Sequence, residues 1–186
     1  MSAPAQTSFR QRRSATRLAA VQALYALEVS GGAVGPVLAE VAQRRWIPAE
    51  KAANAAAVDP AFLHLLVEGV VARRAEFDAA IDAALAHGWT TGRLEILLLA
   101  ILRAGAFELA QQPHTPIKVV INEYVEIAHA FFAGREPSLV NAVLDRLAAR
   151  LRDAPPDEEG AFDPGPDGGT GGAPDGGMGG GTGGGS

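Results

Sequence analysis

Three arginines near the start of the chain have the spacing of a binding surface. Arg10, Arg13 and Arg17 are three and four residues apart, which places them on one stripe of a helix, while Arg12 points elsewhere. No Asp or Glu precedes Glu28, so nothing nearby in sequence neutralises the stripe. Guanidinium groups make forked hydrogen bonds to phosphate and stack on bases, so single-stranded RNA is the ligand that such a stripe suits. Four arginine–phosphate contacts would give a slope of roughly −3 in log K against log salt. A solvated charged face is the plainer alternative from these residues alone.

Catalytic chemistry finds little support. The histidines His64, His87, His114 and His129 are scattered, with no i, i+4 pair of the kind that holds a metal on a helix. The chain has no cysteine, which excludes disulfides and thiolate chemistry. The glycines lie mostly near the C-terminus and lack the Lys-Ser/Thr of a phosphate loop. Glu123 and Glu126 are three apart on one helix with Asn122 and Lys118, where an acid/base pair is conceivable. An exposed polar face beside Val120, Val125, Ile127 and Phe131 fits them better. Asn141 lies in an otherwise apolar run and is read as a semi-buried amide that fixes the docking of the last helix. Asn122, Glu123 and Asn141 are thus assigned structural roles. No catalytic residue, metal or cofactor is expected.

Charge and composition divide the chain in two. It carries 16 Lys+Arg against 21 Asp+Glu, a formal net charge of −5. Seven of the acids lie beyond Arg152, leaving a body with 14 acids against 16 bases. The acidic pI is therefore set by the C-terminal segment and does not argue against a nucleic-acid ligand. From residue 154 onward the sequence is rich in Pro, Asp, Gly and Thr and, apart from Phe162 and Met178, has nothing large to bury, so residues 154–186 are expected to form a disordered tail. Its acids suggest weak competition with RNA for the basic helix. No apolar run is long enough for a membrane span and the N-terminus has no signal-peptide core, so a cytoplasmic protein is expected. Residues 1–9 are read as a flexible N-terminus and 10–153 as one helical domain.

That domain must position the arginines, and its periodicity is helical throughout. A first helix is expected over residues 8–29, stopped by Gly31-Gly32, and a second from Pro36 to about residue 45. Residues 46–58 read as a connector or weak helix. Asp59-Pro60 is a capping Asp with Pro at the first helical position, and the helix it starts either continues to residue 87 or restarts near Phe77. Thr90 or Thr91 caps the most apolar stretch, LEILLLAILRAGAFELA, expected to be the central buried helix. Thr115-Pro116 starts another helix, ending at Gly134, and Pro137 opens the last. The fold expected is all-α, a compact bundle of about seven helices.

Three segments taken together resemble the NusB family: the Arg-rich start running into RLAAVQALYALEVS, then LLLAILRAGAFELAQQPHTPIKVVINEYVEIA, then VNAVLDRLA. They follow the family order and, with the helices between them, cover residues 12–152. The resemblance implies a helical, non-enzymatic transcription antitermination factor. Such a factor would bind boxA RNA of ribosomal RNA transcripts with the ribosomal protein NusE, within the RNA polymerase antitermination complex. It maps an RNA-contact region onto Arg12, Arg13 and Arg17, with Tyr25 at the matching aromatic position; Arg10, Lys118 and Arg135 complete the expected RNA-binding set. His129 replaces a common lysine, residues 134–139 lack the family's usual lysine and phenylalanine, and Ala142 replaces a glycine. Arg135 returns some charge there. Two other readings are a helical protein–protein adaptor and a detached targeting module of a ribosomal RNA methyltransferase. The second lacks the catalytic cysteine and cofactor domain of such enzymes.

Overall fold

The computed structural model describes residues 3–43, 58–86 and 89–153. Seven helices form among them: α1 (Ala3–Ser30), α2 (Val34–Gln43), α3 (Pro60–Ala72), α4 (Arg74–Ala84), α5 (Ile96–Gln111), α6 (Ile117–Phe131) and α7 (Glu136–Asp153), with a 3-10 turn at Thr91–Arg93. No strand occurs among the described residues. His87, residues 46–57 of the connector and residues 154–186 of the tail lie outside them.

Local chemistry sets most of the boundaries. Gly31 ends α1 in the left-handed region at φ 64°, where its N–H donates to the Leu27 carbonyl. Asp59 caps α3 as expected: its carboxylate accepts from the Phe62 N–H at 3.2 Å, with Pro60 at the first helical position. The α3–α4 break falls at Arg73, four residues before the restart suggested near Phe77.

Other boundaries differ from the sequence reading. Helix α1 begins at Ala3, ahead of the start expected at residue 8 and within the segment 1–9 read as flexible. Pro4 stands in its first turn, where the missing N–H has no partner to lose. Thr90 and Thr91 do not cap α5; they belong to the 3-10 turn, tied by the Thr91 N–H to Asp82, and Glu95 occupies the N-cap of α5. Thr115 does not cap α6, whose N-cap position is Pro116, and that helix stops at Phe131 rather than Gly134.

Helix α5 is the axis of the fold. Every residue from Leu98 to Leu109 is buried, and the helix packs on α1, α3, α4, α6 and α7. Each large apolar side chain so enclosed contributes about 1.5–3 kcal/mol. Close approach is needed where α3 crosses it, because a Cβ on Gly69 would stand 2.1 Å from the Phe107 ring. Phe107 in turn meets Phe77 of α4 edge-to-face at 5.9 Å between centroids. The short link between α6 and α7 makes them an antiparallel hairpin over one side of α5.

Candidate RNA-binding surface

Although α5 reads as apolar on every side, it carries two buried charged residues that tie α1 to it. Glu108 is 0% exposed. It accepts from Arg17 Nε at 2.9 Å and Nη2 at 2.6 Å, and from the Tyr124 hydroxyl of α6 at 2.9 Å. Arg17 also reaches Glu123 at 3.3 Å through Nη1. Burial alone lowers the Arg17 pKa, but the hydrogen bond and charge of Glu108, with Tyr124 and Glu123, outweigh it and hold the pKa above its ordinary value. Tyr124 is pushed well above the usual phenol value, first by burial and then by the Glu108 charge.

Near the other end of α1, Arg103 of α5 forks onto Asp78 of α4 at 2.7 and 2.8 Å and reaches Glu28 of α1 at 3.2 Å. Arg74 closes this second network onto Glu28 at 2.6 Å.

Arg17 therefore departs from the sequence reading. It is 3% exposed and compensated by two carboxylates, so the expected stripe of free arginines loses its third member to the core. Its partner Glu108 lies ninety-one residues away, and nothing local announces the pair.

The remaining arginines stay outside. Arg10 and Arg12 are exposed. Arg13 is half-buried, its guanidinium 3.7 Å from the centroid of the Phe62 ring and 5.6 Å from that of Phe9. The cap at Asp59 places Phe62, and the start of α3 is tied to α1 through Thr16, whose hydroxyl accepts from the Asp59 N–H at 2.9 Å and donates to the Arg12 carbonyl at 2.7 Å. A half-buried cation–aromatic contact of this kind is worth about 1 kcal/mol. It holds Arg13 in one place with N–H groups left over for a ligand.

The other sequence-selected residues divide between two places. Asn122 and Glu123 join Phe9, Arg10, Arg13 and Arg17 around a cavity of about 490 Å³ between α1 and α6, and Lys118 is exposed in the first turn of α6. Tyr25 is 41% exposed, twelve residues beyond Arg13 on α1, or about 18 Å along the axis. Arg135 belongs to a separate cavity of about 480 Å³ with Leu139, Arg93 and the exposed Trp89, near the other end of α5. Asn141 departs from the sequence reading: it is exposed, and its amide donates to Asp145 on its own helix at 3.2 Å, so it does not fix how α7 docks. The α7 residues that do so are apolar, among them Val140, Val143, Leu144 and Leu147. Phe9, Phe62 and Trp89 were not singled out from sequence, although Phe9 stands four residues before Arg13 on the same helical face. Among the described residues, no three His, Cys, Asp or Glu side chains come together to hold a metal ion. No helix there is long and apolar enough to cross a membrane.

The described residues thus define an all-helical domain with a basic, aromatic-flanked segment of α1 anchored to the core by the buried Arg17–Glu108 pair. The sequence profile of the NusB family matches residues 14–149. The transcription antitermination protein NusB of Caulobacter vibrioides is 47% identical over 143 residues, covering 77% of this chain and 96% of that protein. Its counterpart in Maricaulis maris is 44% identical over 155 residues, 83% of this chain and 94% of that one. In a crystal structure of the antitermination factors NusB and NusE in complex with double-stranded RNA, a similar fold covers 75% of this chain and 97% of the other, at a TM-score of 0.62 and 22% identity. The chain belongs to the NusB family of transcription antitermination factors.

Proposed function

We propose that this protein binds boxA RNA of ribosomal RNA transcripts together with NusE, as a non-catalytic component of the RNA polymerase antitermination complex in the cytoplasm. The observation that carries the reading is Arg13 fixed against Phe62 at 3.7 Å, with Arg10 and Arg12 exposed on the same segment of α1. A pre-positioned guanidinium loses less freedom on meeting a phosphate than a free one. Tyr25, Lys118 and Arg135 are the further contacts. Membership of a family whose relatives are antitermination proteins, and a fold shared with a NusB in a complex with NusE and RNA, support the assignment.

The test is binding of labelled boxA RNA to the full chain across a salt series, with and without NusE. With Arg17 withdrawn into the core, three arginine contacts remain, and their share of the slope is roughly −2. Replacing Arg10, Arg12 and Arg13 together should remove that share, and NusE should tighten binding by the unaltered chain. A folded chain that binds no RNA with or without NusE would refute the proposal.

A further inference from the structure

The cleft between the start of α1 and the first turns of α6 holds more than cationic charge. Its volume is about 490 Å³, and its walls include Phe9, Arg10, Arg13, His114, Val119 and Asn122. Two apolar side chains of that wall face solvent, Phe9 at 59% and Val119 at 43% exposure. Phe9 contributes nothing to the buried core, yet its ring lies 5.6 Å from the Arg13 guanidinium. Phe62 holds that guanidinium at 3.7 Å, and the exposed Phe9 ring is left open to a ligand beside a fixed cation. Across the cleft, Asn122 is exposed and offers both a donor and an acceptor. Deeper in, Arg17 is satisfied by Glu108 and Glu123, so its charge is already spent inside the protein.

An open aromatic face, two cations and an amide within one cleft match the three parts of a nucleotide: base plane, phosphate and base edge. A base inside a duplex cannot present its face to Phe9, whereas an unpaired one can. We propose that this cleft is a nucleotide subsite for single-stranded RNA. In it, Phe9 is the stacking platform, Arg10 and Arg13 take the phosphate, and Asn122 hydrogen-bonds the base edge. The assignment rests on the RNA-binding reading above and specifies where one unpaired base of that RNA is held.

The experiment measures labelled boxA RNA binding to the full chain and to Phe9→Ala, Phe9→Leu, Phe9→Trp and Asn122→Ala, with helical content followed by circular dichroism. Loss of a stacking partner should weaken binding about 5- to 100-fold in the Ala and Leu variants. Because no phosphate contact is removed, their salt slope should stay that of the unaltered chain. Trp should restore affinity, and Asn122→Ala should cost about fivefold, the size of one hydrogen bond. If the unaltered chain binds and the folded Leu variant binds equally well, the subsite is overturned while the RNA reading stands. If the unaltered chain does not bind, both fall. A slope that shrinks in the Phe9 variants would also overturn the stacking role, since it would mean that the ring serves only to hold Arg13.

Discussion

Changing Glu108 to Gln is the most searching perturbation of this fold, because it removes one charge and almost no volume. In the native arrangement Glu108 takes two short hydrogen bonds from Arg17 and one from Tyr124 with no exposure to water. After the change, Arg17 keeps its charge in a buried place with only Glu123 opposite, at 3.3 Å and with a quarter of its side chain exposed. Removing one partner of a buried pair costs about 3–5 kcal/mol. The retained amide oxygen and Glu123 offset part of this, so the lower end, about 3 kcal/mol, is expected. At roughly 3 °C per kcal/mol for a domain of this size, Tm should fall by about 9 °C. Thermal unfolding followed by far-UV circular dichroism measures it. The double variant Arg17→Met with Glu108→Leu, which replaces the pair by apolar volume, should recover most of the loss. Below the transition, Glu108→Gln should leave the salt slope of RNA binding unchanged, because the pair touches no phosphate. A fall of less than about 2 °C would refute the reasoning, since a buried arginine cannot lose its main counter-charge so cheaply.

Three further changes probe other parts. Tyr124 has a folded pKa raised well above its unfolded value near 10, so the unfolded chain releases this proton first and stability should decline as pH rises past about 10. In Tyr124→Phe that share of the alkaline decline should vanish, at the cost of about 1–2 kcal/mol at neutral pH for the lost bond to Glu108, read from urea unfolding at several pH values. Gly69→Ala puts a methyl group 2.1 Å from the Phe107 ring and should destabilise by about 1–3 kcal/mol in the same assay. Asn141→Ala, by contrast, should alter stability by less than about 0.5 kcal/mol, as befits an exposed amide bonded within its own helix.

The sequence was most readable where structure is decided locally. Asp59-Pro60 carries its whole instruction in two adjacent residues, and the cap forms as they dictate. The unbroken apolar run of α5 marks a helix with no exposed side, and it is the one enclosed by five others. Thr90 and Thr115 offered the same chemistry as Asp59, yet the chain inserts a 3-10 turn after the first and uses Pro116 after the second, choices made by neighbouring elements. The candidate site was legible as a basic segment but not as a division of labour. Arg13 and Arg17 look equivalent at four-residue spacing; Phe62 and Glu108, brought in from distant elements, make one a surface group and the other a core residue. Asn141 shows the converse, a polar residue among apolar neighbours in sequence that faces out because helical geometry turns it away from them.

The two charged networks also work as an indexing device. Arg17 and Glu28 are eleven residues apart on α1 and are each pinned to α5, through Glu108 and Arg103. Sliding α1 by one turn, about 5.4 Å, would strand both sets of charges at once. An amino acid inserted between Arg13 and Arg17 would leave the pins in place and swing everything upstream by about 100°. Arg13 would then leave Phe62, and Arg10 would leave the cleft beside α6. The number of residues between the last free arginine and the first buried one is thus a measured length, set as firmly as any side chain.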